Sequence, residues 1–292
     1  GGYRVGDIVI SRGDFKTANG GLAVGDCGEV LGRSPATSHT LLCKFPNDSK
    51  ASVPPNLLEL QLPGGFRIGD TVIATSHFGG QLGSVAVGDR GEVTGRSNSA
   101  PKTAVHCKFP NHAGASISAS DLELELPGGF RIGDAVIKKG DYMNANGTMA
   151  DGDHGEVIGR SVTDPKNRVL CKFQKFANSL HVHTSDLELE FPGGYRTGDI
   201  VIKKGDYKNA HGSVNDGDRG EVIGRSTTDP KNRVLCKFPQ YARFHCRLSE
   251  LELELPGGYR TGDTVVHKGN FKTANGNVTD GEIGEVIGRS TT

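Results

Sequence analysis

"LELELPGGYRTGD", Leu251 to Asp263, is the stretch on which the fold turns, because it recurs almost unchanged along the chain. Copies stand at Leu58–Asp70, Leu122–Asp134 and Leu187–Asp199, and its second half opens the sequence at Gly1–Asp7. The Gly-Gly pairs begin at Gly1, Gly64, Gly128, Gly193 and Gly257, giving spacings of 63, 64, 65 and 64 residues. A fixed period of this kind takes precedence over any motif, since each period is one structural unit. It divides the 292 residues into full repeats at 1–63, 64–127, 128–192 and 193–256, and a partial fifth at 257–292. The fifth stops where a piece like "RVLCKF" should follow, which predicts a window on a longer array. Within the stretch itself, alternating Leu and Glu read as a half-buried strand. Pro donates no ladder hydrogen bond and Gly accepts unusual dihedrals, so Pro-Gly-Gly ends the strand and turns the chain. The reading is a joint between units rather than a site.

Working outward, the third repeat shows what a unit contains. "GDAVI" (Gly133–Ile137) is a short apolar strand, and the Gly-, Asn- and Asp-rich "KKGDYMNANGTMADGD" after it is a long loop with turns. "HGEVIGRS" (His154–Ser161) is a second strand, and "TDPKN" (Thr163–Asn167) a turn. In "RVLCKF" (Arg168–Phe173), Val169, Cys171 and Phe173 share one face. "LHVHT" and "LELEF" are two more short strands. No segment has helical periodicity over three turns. The expectation is an all-β chain: a head-to-tail tandem array of small SH3-like β-barrels, about 64 residues each, linked by short Pro-Gly-Gly joints. Closure into a barrel removes open sheet edges, and a solenoid is the competing architecture.

Charge is balanced, with 34 Lys+Arg against 34 Asp+Glu, and the five repeats carry net charges of 0, −1, −1, +2 and 0. None has the basic balance of a nucleic-acid-binding domain. No run of 18 apolar residues suggests a membrane-spanning helix. Four of the six cysteines (Cys43, Cys107, Cys171 and Cys236) occupy one equivalent position, so no repeat can be stapled internally by them. Cys27 and Cys246 have no counterparts, and the sequence leaves open whether they pair. A reducing intracellular compartment is the expectation.

The string Gly-Asp-x-Gly-Glu-Val-x-Gly stands at Gly25–Gly32, Gly88–Gly95, Gly152–Gly159 and Gly217–Gly224. With the "GDxV" strand at Gly6–Val9 and the "VxF"-like phrase at Leu41–Phe45, it resembles SH3-like repeat modules of the KOW type and of the Mind bomb type. The first resemblance implies nucleic-acid binding and the second a peptide- or protein-binding module. Neither implies a catalytic residue, cofactor or metal. The basic residues that KOW-type modules carry around that glycine are missing from this sequence.

Several motifs have a simpler reading than the one they advertise. Arg12-Gly13-Asp14 is an adhesion tripeptide, but its counterparts Lys139-Gly140-Asp141 and Lys204-Gly205-Asp206 mark it as drift within a basic-Gly-acidic loop. Asn47, Asn146 and Asn277 begin glycosylation sequons at three unrelated repeat positions. His181 and His183 share a strand face, yet a zinc site needs about four ligands. The repeated cysteine alternates with Val and Phe, as a core residue does. Arg33, Arg96, Arg160, Arg225 and Arg289 each follow a Glu by four residues, about 13 Å along one strand face, too far to pair with it. They are expected to meet a partner on a neighbouring strand or barrel, with the Glu row of "LELEL" as one option and the Arg of "GGYR" (Arg4, Arg67, Arg131, Arg196, Arg260) as another, and to fix module orientation.

The repeats share turn, joint and core residues and differ in the loops and in the segment after "CKF". A repeat array of that kind supplies an extended surface. The expected function is a non-catalytic scaffold or linker whose barrels dock on other proteins of a larger assembly. Tyr241, Arg243, Phe244 and Arg247 of the fourth repeat are its candidate protein contact, being residue types favoured in interface cores. Two alternatives stand beside it. One is a nucleic-acid-binding array using Lys203, Lys204, Lys208, Lys231, Arg233 and Lys237, and the other an extracellular adhesion or glycan-binding array.

Overall fold

A computed structural model describes all residues except 1, 18, 36, 38, 81, 82, 145, 146, 210, 211, 274, 275, 291 and 292, so the sequon at Asn146 lies outside the described residues. The chain is all-β: the helical segments among the described residues are three-residue 3-10 turns such as Pro55–Leu57. None of them is long and apolar enough to cross a membrane. Two compact units are formed, one from Gly1–Gly133, Val157–Lys172 and Asn178–Thr184, the other from Asp134–Glu156, Phe173–Ala177 and Ser185–Thr292.

In the first unit, the first repeat supplies β1 (Ile8–Ser11), β2 (Phe15–Thr17), β3 (Gly20–Leu22), β4 (Cys27–Arg33), β5 (Leu41–Phe45), β6 (Asp48–Val53) and β7 (Leu58–Gln61). Five of them form an antiparallel sheet in the order β6-β5-β4-β1-β7, and β2 and β3 form a hairpin. The second repeat supplies β8 (Thr71–Ala74), β9 (Phe78–Gly80), β10 (Gly83–Val85), β11 (Arg90–Arg96), β12 (Ala104–Phe109), β13 (His112–Ser118) and β14 (Leu122–Glu125). Its sheet runs β14-β8-β11-β12-β13, the same order, with the β10-β9 hairpin added at the end. In the second unit, the fourth repeat places Tyr241–Arg247, Arg233–Phe238, Arg219–Arg225, Ile200–Lys203 and Leu251–Leu255 side by side in that order again. The strand next to the end of this order carries the apolar runs "IVIS", "TVIA" and "IVIK": it lies between two neighbours, and its last three residues are buried each time.

Each core is filled from the same positions. In the second repeat Val72, Val93, Val105 and Cys107 are fully buried around Phe109. Val201, Val222, Val234 and Cys236 surround Phe238 in the fourth. The "GEV" glycine of these repeats is a packing requirement. Gly28, Gly91 and Gly220 lie within strands against the ring of Phe45, Phe109 and Phe238, and an added Cβ would come within 2.7 Å of the ring at each.

The Pro-Gly-Gly joint is a tight hairpin. Leu62 N–H donates to Phe66 O at 2.7 Å and Gly65 N–H to Leu62 O at 3.0 Å. Gly64 and Gly65 both adopt positive φ, of 75° and 78°, which side-chain-bearing residues rarely do. Leu62 and Phe66, on either side of the turn, are buried in the core of the second repeat. Phe191 and Tyr195 enter the core of the fourth in the same way. The joint is therefore also a plug, carrying apolar side chains into the following repeat.

Burial governs thiol chemistry. Cys43, Cys107 and Cys171 are 0% exposed, and desolvation pushes their pKa up, to about 11, about 12 and about 12. Cys246 is equally buried, a hydrogen-bond partner of Cys236, whereas Cys27 is exposed with its S–H donating to Gln61 Oε1 at 3.2 Å. The thiolate is the reactive form. In the native chain at pH 8, iodoacetamide with mass-spectrometric readout should therefore alkylate Cys27 and spare the other five cysteines, which become reactive in guanidinium. Rapid native labelling of Cys107 or Cys236 would contradict this packing.

Candidate interaction surface

Two features stand out from the repeating frame: an ion pair made at successive joints, and an aromatic hollow in the fourth repeat.

The ion pairs begin with a bulge. In β11, Val93 opposes Cys107 and Arg96 opposes Val105, while Thr94 and Gly95 together oppose His106. The extra residue reverses the alternation, so Arg96 turns to the face of Val93 and Val105 while Glu92, opposite Lys108, faces the other way. The same shift lies between Val30 and Gly32 and between Val222 and Gly224. Plain alternation puts this Glu and Arg on one face; the bulge corrects that. Four of these arginines reach the Gly-Asp turn of the preceding repeat. Arg96 Nη2 donates to Asp7 at 2.6 Å, Arg160 donates to both oxygens of Asp70 at 2.6 and 2.7 Å, and Arg225 Nη2 donates to Asp134 at 2.5 Å. Arg289 Nη2 lies 2.5 Å from Asp199. The Asp side chains are 5–14% exposed and the Arg side chains 16–25%. Arg33, in the first repeat, is exposed and has no ion pair among the described residues.

The same Asp also organises its own turn. Asp7 accepts from Arg4 N–H at 2.6 Å, and Asp70 and Asp199 from Arg67 and Arg196 N–H at 2.7 Å. The Glu row, an expected partner of the "GRS" arginines, instead takes the Arg of "GGYR" and "GGFR". Arg67 pairs with Glu59 at 2.8 Å, Arg131 with Glu123 at 2.5 Å and Arg196 with Glu188 at 3.3 Å. Sequence reasoning passed over the Gly-Asp carboxylates, although they recur as regularly as the arginines do. A further contact in the first unit joins non-consecutive repeats: a Cβ on Gly25 would lie 3.0 Å from Cγ1 of Val162.

The four contact candidates of the fourth repeat are brought together. A second bulge acts here: Cys236 opposes Phe244 and Phe238 opposes Tyr241, so Tyr241 and Phe244, three residues apart, share the inward face. Phe244 makes edge contacts with Tyr207 and Phe238, at centroid distances of 4.8 and 6.0 Å, and a tilted one with Tyr241 at 5.4 Å. Tyr241 O–H donates to Asn209 Oδ1 at 2.6 Å. These rings border a hollow of about 580 Å³ whose rim includes Arg233, Arg243 and Arg247. Phe244 is half-buried, so it packs on its own core and lines the hollow at once. Beside it, His245 Nδ1 is 3.0 Å from the hydroxyl of the buried Ser226. Burial, reinforced by Arg243 and Arg233, lowers its pKa below the usual histidine value. Tyr207 and Phe238 complete the cluster from elsewhere in the sequence and were not among the expected contacts.

The other motifs are tied into their own repeats. Arg12 pairs with Glu59 at 3.2 Å, Ser11 O–H donates to Gly13 O, and Asp14 accepts from Val24 N–H at 3.1 Å. His181 Nδ1 lies 3.0 Å from Ser161 Oγ. Lys203, counted among the basic residues for nucleic acid, is 2% exposed, and its ammonium donates to Lys204 O and Gly205 O at 2.6 and 2.7 Å. Lys204, Lys208, Lys231 and Lys237 are exposed. No protein-family model matches the chain, and comparison with the curated proteins finds no match.

Proposed function

We propose that the chain is a non-catalytic scaffold: a tandem array of SH3-like barrels that holds itself in register at each joint and presents repeat-specific surfaces to other proteins of a larger assembly. The observation that carries this reading is the recurrence of one ion pair between consecutive repeats, from Arg96–Asp7 to Arg289–Asp199. A partly buried, charge-assisted pair repeated at each step fixes orientation, which matters to a frame and not to independent modules on flexible linkers. The five-strand order shared by the first, second and fourth repeats, with a bulge in the long strand, supports the barrel reading. What varies at fixed register is the strand or strand segment that follows "CKF". Where the fourth repeat has Tyr241 and Phe244, the first has Asp48 and Ala51 and the second His112 and Ala115.

Cross-linking mass spectrometry on the native protein in a gentle extract, with and without nuclease, tests the proposal. Cross-links from these segments and the loops to defined proteins should survive nuclease. Association that collapses with nuclease would replace the scaffold with a nucleic-acid array working through the exposed lysines of the fourth repeat.

A further inference from the structure

The hollow of the fourth repeat has a charge imbalance that specifies an occupant. Its acidic groups are already engaged. Asp229 accepts from the main chain and side chain of Asn232 at 3.2–3.3 Å, and Glu250 lies 3.6 Å from the buried ammonium of Lys203 and 4.0 Å from Arg247. Of the arginines, Arg233 donates to His245 O at 3.3 Å, but Arg243 is exposed and makes no hydrogen bond or ion pair among the described residues. Arg243 and Arg247 thus stand at the rim of an apolar floor made by Tyr207 and Phe244. The strand Tyr241–Arg247 is also the terminal strand of its sheet, with one backbone edge unpaired by other strands among the described residues. An extended chain matches such an edge, and its side chains alternate toward and away from the floor.

We infer that this hollow receives a short extended segment of a partner protein in which acidic side chains flank an apolar one, the apolar group resting on Tyr207 and Phe244 and the carboxylates meeting Arg243 and Arg247. The inference rests on the scaffold reading and adds the chemistry of its ligand. The ring geometry favours a peptide over nucleic acid. The rings stand 56–82° to one another, so no two parallel faces are offered to successive stacked bases. Of the neighbouring lysines, Lys203 is withdrawn into the turn.

The test is fluorescence polarisation on the full 292-residue chain with three labelled probes. These are a heptapeptide alternating Glu with Leu, Phe and Leu, the same peptide with Lys for Glu, and oligothymidylate. The acidic peptide should bind saturably and the lysine peptide should not. Arg243→Glu should weaken the acidic peptide at least tenfold and Tyr207→Ala at least fivefold, while Lys108→Glu in the second repeat changes it less than twofold. Circular dichroism melting establishes that the variants fold, and Arg243→Glu, on an exposed side chain, keeps the test independent of the core. Equal affinity for both peptides, indifference to Arg243→Glu, or tighter binding of oligothymidylate overturns the inference. If these binding results go against it while nuclease-resistant cross-links still run from the corresponding segments of other repeats, the hollow fails and the scaffold stands. Absence of protein cross-links anywhere removes the scaffold itself.

Discussion

Gly220→Ala is expected to destabilise the fourth repeat by about 3 kcal/mol, the upper end of the usual cost of overpacking a core. The added methyl would sit 2.6 Å from Cε1 and 2.8 Å from Cδ1 of Phe238 and 2.9 Å from the carbonyl of Lys237. None of these can yield cheaply. The ring is 2% exposed within a packed core, and the carbonyl belongs to a strand directly paired with that of Gly220. The matched control is Gly95→Ala, where the φ angle is ordinary and no atom lies within 4 Å of the new carbon. That change should stay within about 0.5 kcal/mol, as surface substitutions usually do. Calorimetry on the two variants separates packing from generic loss of glycine. Equal melting of both would show that the strand glycine is not held by the ring. A partner change, Phe238→Leu, should couple non-additively with Gly220→Ala because the two residues share one contact.

Reversal of one joint charge, Arg160→Glu, is expected to release the second repeat from the third and to cost about 2–4 kcal/mol of coupling. The bidentate pair with Asp70 is largely out of water, the Asp side chain being 7% and the Arg side chain 19% exposed. Removing one partner of such a pair strands the other charge, which costs about 3–5 kcal/mol when burial is complete and less at partial exposure. Small-angle scattering should report a larger radius of gyration for Arg160→Glu, and more so with Arg225→Glu added. Asp70→Asn isolates the charge, since its amide oxygen can still accept from Arg67 N–H at the turn. The double exchange Arg160→Asp with Asp70→Arg should recover part of the loss. An unchanged scattering profile in Arg160→Glu would mean that the plug residues Leu126 and Phe130, both buried, hold the joint without the ion pair.

Much of the all-β character was legible before any coordinates. Alternation in "LELEL" and "RVLCKF", turn residues at fixed offsets and the lack of helical periodicity all report local backbone preference, which a sequence carries directly. The inward placing of Val169 and Cys171, and the strand-ending turn at Pro-Gly-Gly, follow from the same period of two and from proline and glycine chemistry. Arg243 and Arg247 were found as charged residues beside aromatics in a variable segment.

The remainder depended on events that break the period. A bulge costs one residue of alternation and leaves no composition signature beyond a glycine. Extrapolation of the strand pattern therefore put Glu92 and Arg96 on one face, and plain alternation over a three-residue spacing would separate Tyr241 from Phe244. The register reverses both. The partners across each joint, Asp7 and Arg96 or Asp70 and Arg160, lie 89 and 90 residues apart. Nothing local links them, so the choice between the Glu row and the Gly-Asp turn is made only when two repeats are packed together. Sequence alone determined what each repeat is made of, because backbone propensity and hydrophobic alternation act over a few residues. Tertiary structure decided which charges clasp and which rings gather, because side-chain direction past a bulge and contact across a joint exist only in the assembled sheets.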